Sequence, residues 1–273
     1  MIVFPQAKIN LGLNILSKRA DGFHNLQSVF LSVNLYDALE VIIDKNIPFG
    51  EMVFSTSGVP IPGDQKNNLI LKAAHLYNEL VSLPGIRIHL HKNIPMGAGM
   101  GGGSSNGAWM LRLLNRLMDN ALNTNQLFSL ATQLGSDCPF FLYDSPCYVT
   151  GRGEVLEPIA LDLKGWNLVL INPGIHISTA EAFRMIQPIP NTTNLKTIVS
   201  GPIELWNRNL YNDFEKPACL KYVEIKDALS LFKQFGASYS AMTGTGSTVF
   251  GLFEVMPNLP NLPDHWFVHS SKF

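Results

Sequence analysis

PMGAGMGGGSS, residues Pro95 to Ser105, is the stretch whose reading decides the fold. Glycine fills five of its eleven positions (97, 99, 101, 102 and 103), and two serines close it. Glycine accepts positive φ and has no Cβ, so such a loop can turn its backbone amides onto one point. Where the loop enters a helix, those amides and the helix dipole together favour an anion. A nucleotide polyphosphate is the simplest anion that needs so many donors. The plainer reading is a flexible linker, but linkers are rarely flanked so tightly by two regular elements. Before the loop, Ile86, Ile88 and Leu90 alternate with Arg87, His89 and His91 as a strand. After it, Ala108, Leu111, Leu114 and Leu117 mark an amphipathic helix.

Two familiar phosphate motifs do not account for the loop. Gly97-x-Gly99-x-x-Gly102 formally fits the dinucleotide fingerprint. That fingerprint wants an acid about 20 residues on, at the end of a second strand, whereas Asp119 ends a helix. The P-loop pattern fails because no lysine precedes Ser104. What remains is a glycine-and-serine cradle of a third kind.

Working outward, Ile9, Leu11, Leu13 and Ile15 alternate with Lys8, Asn10, Gly12 and Asn14, which predicts a half-buried strand. Strands are also predicted at Val29 to Val33, Leu39 to Ile43 and Leu168 to Ile171, and at Trp266 to Val268. Asn67-Asn68 predicts a capped helix over the residues that follow. Further helices are predicted at Gln126 to Leu134, Thr179 to Ile186 and Lys221 to Phe235, with a polar loop over 188–197. Ser238 to Phe253 reads as two strands around the turn Thr243-Gly244-Thr245-Gly246-Ser247, whose amides and hydroxyls could close over a phosphate. Strands with intervening helices in no regular βαβ series indicate an α+β fold.

With 273 residues, the chain suffices for one large domain or two ordinary ones. Twenty basic against 21 acidic residues give a net charge of −1, which leaves no footprint for nucleic acid or an anionic membrane. Cys138, Cys147 and Cys219 lack CxxC spacing and cannot all pair, which predicts reduced thiols in the cytoplasm. The opening MIVFPQAKIN has neither the basic nor the long apolar region of a signal peptide. His89 and His91 share a strand face but lack a third ligand for zinc.

Two residues carry candidate chemistry. Asp137, in Leu134-Gly135-Ser136-Asp137-Cys138-Pro139, is a carboxylate among small and apolar neighbours, a tunable setting for a general base. The same residue also reads as a turn aspartate before a proline. Lys8 alone reads as a solvated edge-strand lysine, but Asn10 shares its face, and clustered polar groups on an apolar strand make a site.

These pieces in this order resemble the GHMP kinases (galactose, homoserine, mevalonate and phosphomevalonate kinases). The resemblance rests on AKINLGLNI, DGFHNLQSVF, the loop Pro95 to Ser105, and Met242 to Ser247. It implies a two-lobed α+β fold. An N-terminal ATP-binding lobe (1–157) would resemble ribosomal protein S5, and a C-terminal lobe (158–273) would be ferredoxin-like. It further implies ATP-dependent phosphorylation of a hydroxyl on a small molecule carrying a cytidine diphosphate, with Mg2+ as cofactor and its protein ligand unassigned. Lys8 and Asp137 would be catalytic. Asn68, Lys92, Pro95, Met96, Gly97, Ala98, Gly99, Met100, Gly101, Gly102, Gly103, Ser104 and Ser105 would bind ATP. Asn10, Phe23, His24, Phe30, Thr179 and Phe183 would bind the other substrate, with Phe23 and Phe183 sandwiching the cytosine. A homoserine- or mevalonate-type kinase and a non-catalytic nucleotide-binding protein are the alternative readings on the same scaffold.

Overall fold

The computed structural model describes residues 1–188 and 193–273, so part of the 188–197 loop lies outside the described residues. The chain opens with β1 (Ile2–Val3), β2 (Gln6–Lys18), β3 (His24–Tyr36), β4 (Ala38–Ile43) and β5 (Met52–Gly58). Then come α1 (Leu69–Leu80), β6 (Ile86–Lys92), α2 (Gly102–Leu117) and α3 (Thr124–Leu134). They are followed by β7 (Cys147–Thr150), β8 (Val155–Pro158), β9 (Asn167–Asn172), α4 (Thr179–Arg184), α5 (Leu195–Val199) and α6 (Trp206–Asn209). The last elements are α7 (Glu215–Lys221), α8 (Val223–Gln234), β10 (Tyr239–Met242), β11 (Val249–Phe253) and β12 (Phe267–Lys272). The fold is the mixed α+β one expected.

The chain divides into two compact units interleaved in sequence. The first comprises Met1–Ala7, Leu35–Met96 and Gly101–Asp144; the second comprises Lys8–Asn34, Gly97–Met100 and Ser145–Phe273.

In the first unit a sheet runs in the order β1-β4-β6-β5, with β5 parallel to β6 and the other pairs antiparallel. Along β6 the side chains at 86, 88, 90 and 92 are buried and Arg87 and His91 are exposed, the alternation of a sheet covered on one face. Asn68 caps α1, its Oδ1 accepting from the Ile70 amide at 2.9 Å. Ala73, Ala74 and Tyr77 of α1 and Met110, Leu111 and Leu114 of α2 are fully buried where the two helices pack. Asn123 and Gln126 form a reciprocal capping box at the start of α3.

In the second unit β2-β3-β7-β8 form one sheet and β10-β11-β9-β12 another. One core joins Leu13 and Ile15 of β2 to Val169, Ile171, Val249, Phe253 and the α8 residues Ala228 and Phe232. Two local expectations change. The half-buried β2 is buried on both faces, with every residue from Ala7 to Ile15 inaccessible. Its far edge is covered, the Leu13 amide donating to Tyr211 O at 3.0 Å and its carbonyl accepting from Asp213 N at 2.9 Å. The helix expected over Lys221 to Phe235 is α8, Val223–Gln234, separated from α7 by Tyr222, which is extended at φ −125°, its hydroxyl donating to Glu181 at 2.6 Å. Residues 195–197 of the expected loop begin α5, whose first amides Asn194 caps.

Candidate active site

The glycine loop is held from below at both ends by one carboxylate that the sequence reading missed. Asp37 Oδ1 accepts from the amides of Asn93 at 2.7 Å and Ile94 at 2.9 Å, just before the loop. Its Oδ2 accepts from Asn106 Nδ2, one turn into α2, at 2.8 Å, and pairs with the Lys92 ammonium. Lys92 is buried, and burial pulls its pKa below the ordinary lysine range while Asp37 opposes the shift. The sequence carried half of this signal: Lys92 continues the inward face of Ile86, Ile88 and Leu90, so a counter-charge was needed inside. A Cβ on Gly102 would lie 2.9 Å from Lys92 Nζ and 3.0 Å from Ile94 Cγ2, so this glycine lets α2 sit over the lysine.

The backbone of the loop does what the composition promised. Gly97, Gly99 and Gly101 have φ of +62°, +77° and +68°. The middle of the loop belongs to the second unit, where it lies on the turn after β10. A Cβ on Gly99 would come within 2.2 Å of Thr243 O, and one on Gly244 within 2.8 Å of Gly99 O. Lys8 N donates to Met100 O at 2.9 Å, tying the loop to β2. Gly99→Ala is therefore expected to lower ATP affinity at least about tenfold, since a left-handed L-residue alone costs about 1–2 kcal/mol before the clash. Titration of ADP into the folded variant measures this, and unchanged affinity would sink the reading of the loop as a cradle.

Ser104 and Ser105 occupy the first turn of α2. Ser105 Oγ is buried without a hydrogen-bond partner, and a Cβ on Gly103 would meet nothing within 4 Å. An orphaned hydroxyl in the helix turn that follows the left-handed Gly101 fits a polyphosphate. Burial pushes the Cys138 thiol up to about 12, with Ser104 opposing the rise and the neighbouring Asp137 charge adding to it. Asp137 itself is half-buried and immediately precedes the 3-10 turn Cys138–Leu142. Of the other residues assigned to ATP, Asn68 is the α1 cap, Pro95 and Met96 begin the loop, and Ala98 and Met100 are buried within it.

Lys8 and Asn10 fall in the second unit and Asp137 in the first. The Lys8 ammonium donates to Asn10 Oδ1 at 2.6 Å and lies 4.6 Å from the centre of the Phe30 ring. Lys8 is only 3% exposed and is not a solvated edge lysine. Asn10 Oδ1 also accepts from Gly244 N at 2.9 Å and from the Thr243 hydroxyl at 3.1 Å.

Phe23, His24, Phe30, Thr179 and Phe183 all belong to the second unit, although Thr179 and Phe183 lie beyond residue 157. Phe183 stacks on His24, ring centres 4.6 Å apart and planes at 22°, and meets Phe214 edge-on at 5.0 Å. Burial first, then the Lys18 charge, holds the His24 imidazole below its usual pKa. Phe23 is 55% exposed, with the Arg152 guanidinium 4.8 Å above its ring. The aromatic face that Phe183 meets is thus that of His24. Thr179 is the exposed first residue of α4.

Two family models match the chain: GHMP kinases N terminal domain over residues 68–145, and GHMP kinases C terminal over residues 194–258. A Bacteroides fragilis protein named 4-diphosphocytidyl-2-C-methyl-D-erythritol kinase is 44% identical over 253 residues, 93% of this chain and 92% of its own. A Parabacteroides distasonis protein of the same name is 40% identical over 254 residues, 93% of this chain and 92% of its own. A crystal structure of 4-(cytidine 5'-diphospho)-2C-methyl-D-erythritol kinase superposes with a TM-score of 0.78 at 30% identity, covering 99% of this chain and 98% of its own. A homoserine kinase structure from Cytophaga hutchinsonii shares the fold, with a TM-score of 0.69 at 16% identity over 98% of this chain and 94% of its own.

Proposed function

The chain belongs to the GHMP kinase family, and from that premise we propose that it transfers the γ-phosphoryl group of ATP to the 2-hydroxyl of 4-diphosphocytidyl-2-C-methyl-D-erythritol. The observation that carries the substrate is 37–44% identity across more than nine-tenths of the chain to relatives bearing that enzyme's name. The left-handed glycines and the orphaned Ser105 hydroxyl support the nucleotide half of the reaction.

Phosphoryl transfer requires chiefly positioning and charge neutralisation. In this reading Asp137 takes the proton of the acceptor hydroxyl as its oxygen bonds to the γ-phosphorus and the bond to the bridging oxygen of ADP breaks. Lys8 supplies fixed positive charge to the reacting oxygens. The loop residues 95–105 bind the phosphates, with Asn68 and Lys92 assigned to the nucleotide end. Magnesium neutralises phosphate charge when bound. It would need few protein ligands beyond the phosphates themselves; its protein ligand is unassigned, and Ser104 and Ser105 are candidates by proximity alone. Asn10, Phe23, His24, Phe30, Thr179 and Phe183 are assigned to the cytidine-bearing substrate. The family division assigned to the chain is an N-terminal ATP domain, 1–157, and a C-terminal domain, 158–273, a division along the sequence that the interleaved compact units cut across. Three unpaired cysteines support a cytoplasmic, reducing setting, and no described helix is long and apolar enough to cross a membrane.

Coupled ADP release with this substrate, homoserine and mevalonate in parallel tests the proposal. Release is expected with the first, and faster turnover of either of the others overturns it. Phe183→Ala is expected to raise the KM for the cytidine substrate about 5- to 150-fold, the scale of base–aromatic stacking. The KM for ATP should hardly move. Because Phe183 also packs on the second-unit core, melting is measured beside it; a fall in Tm with an unchanged substrate KM would make Phe183 a packing residue only.

A further inference from the structure

The orientation of the Asn10 amide decides where Lys8 sits, and one hydroxyl fixes that orientation. Ser28, fully buried on β3, donates its single hydroxyl proton to Gly12 O at 2.6 Å. Its oxygen can therefore act towards Asn10 only as an acceptor, and it accepts from Asn10 Nδ2 at 2.9 Å. The nitrogen end of the amide is thereby held against β3, and the oxygen end is turned to Lys8 Nζ at 2.6 Å and Gly244 N at 2.9 Å. The Thr243 hydroxyl closes the arrangement, accepting from Asn10 N at 3.0 Å and lying 3.1 Å from Asn10 Oδ1. With three donors on Oδ1, the amide oxygen is spent within the protein, and a substrate contact by Asn10 falls to its remaining N–H.

We propose that Ser28 is a positioning residue for phosphoryl transfer, acting through Asn10 on the seat of the Lys8 ammonium. The inference rests on the kinase reading above, in which Lys8 stabilises the reacting oxygens. Without the Ser28 oxygen, the buried Asn10 N–H loses its acceptor and the amide swings to find another, taking Oδ1 from Lys8 and from the Gly244 amide. A charge displaced by a fraction of an ångström is felt where charge develops in the transition state, so the loss falls on kcat.

The experiment compares wild type with Ser28→Ala, Ser28→Cys and Ser28→Thr. Cysteine fills the serine's space with a weak acceptor, whereas threonine keeps the hydroxyl. Each variant is first titrated with ADP, and turnover is expressed per ADP-binding site, so that unfolded chains do not count. Ser28→Ala and Ser28→Cys are expected to lose about 5- to 50-fold in kcat, the scale on which a buried donor without its acceptor is felt. Both KM values should stay within about threefold, and Ser28→Thr should recover most of the loss. Should Ser28→Ala fail to fold, the comparison of Ser28→Cys with Ser28→Thr decides. A kcat per site within twofold of wild type for Ser28→Cys, or equal losses in cysteine and threonine variants, overturns the role of Ser28. Absence of turnover in the wild type overturns the kinase reading itself, so the two failures are distinct.

Discussion

Replacing Asp137 by asparagine is expected to lower kcat by about 10²–10⁴-fold, the range that general-base action supplies, while ADP affinity and melting stay near wild type. The substitution is isosteric, and the side chain forms no cap bond to the turn it precedes. That turn has its own support: Pro139 at its start, Cys138 N donating to Gly135 O at 3.1 Å, and Tyr143 N to Phe140 O at 3.0 Å. Removing the charge therefore leaves the backbone in place. A carboxylate that acts only as the proton leaves is felt in kcat and not in ground-state affinity. Steady-state ADP release with nucleotide titration separates the two; turnover within a few-fold of wild type would remove Asp137 from the mechanism.

The second large effect is on stability. Asp37→Asn is expected to destabilise the protein by about 3–5 kcal/mol, the cost of leaving one charge of a buried pair without its partner. Lys92 and Asp37 are 1% and 0% exposed, so solvent cannot take over the interaction. Adding Lys92→Met to Asp37→Asn should restore part of the loss, because the stranded charge is then gone while asparagine can still accept from the Asn93 and Ile94 amides. Urea unfolding of the two single variants and the double measures the coupling. A loss under about 1 kcal/mol for Asp37→Asn would show that the pair does not hold the loop's base.

Local periodicity made much of the fold legible. Alternation at Ile9 to Ile15 and Ile86 to Leu90 located β2 and β6, and Asn68 marked the start of α1. Glycine content marked the loop as one that admits left-handed residues, and the structure puts them at 97, 99 and 101. What escaped was set by distant contacts. Alternation reads a strand as half-buried, and nothing near Lys8 reports that residues 211–213 and 243–244 cover β2. β5 carries Ser55, Thr56 and Ser57, too polar a run for a strand signal, and forms only because β6 pairs with it in parallel. Asp37 finds its partners 55 to 69 residues away, at Lys92 to Ile94 and Asn106. Family resemblance supplied roles for the aromatics, but the stacking of Phe183 on His24 needed coordinates.

The interleaving of the two units bears on how the molecule can be made and divided. The backbone changes unit at 7/8, 34/35, 96/97, 100/101 and 144/145. A nascent chain that has reached residue 157 holds every residue of the first unit, but of the second only 8–34, 97–100 and 145–157. Leu13 and Ile15 have by then been synthesised, while the β9, β11 and α8 side chains that bury them have not. Leu13 and Ile15 must wait, apolar, for residues 169–253 before that core can close over them. An amino-terminal half produced alone would keep that exposed surface permanently and would tend to aggregate, and a single proteolytic nick in the intact protein would release neither unit.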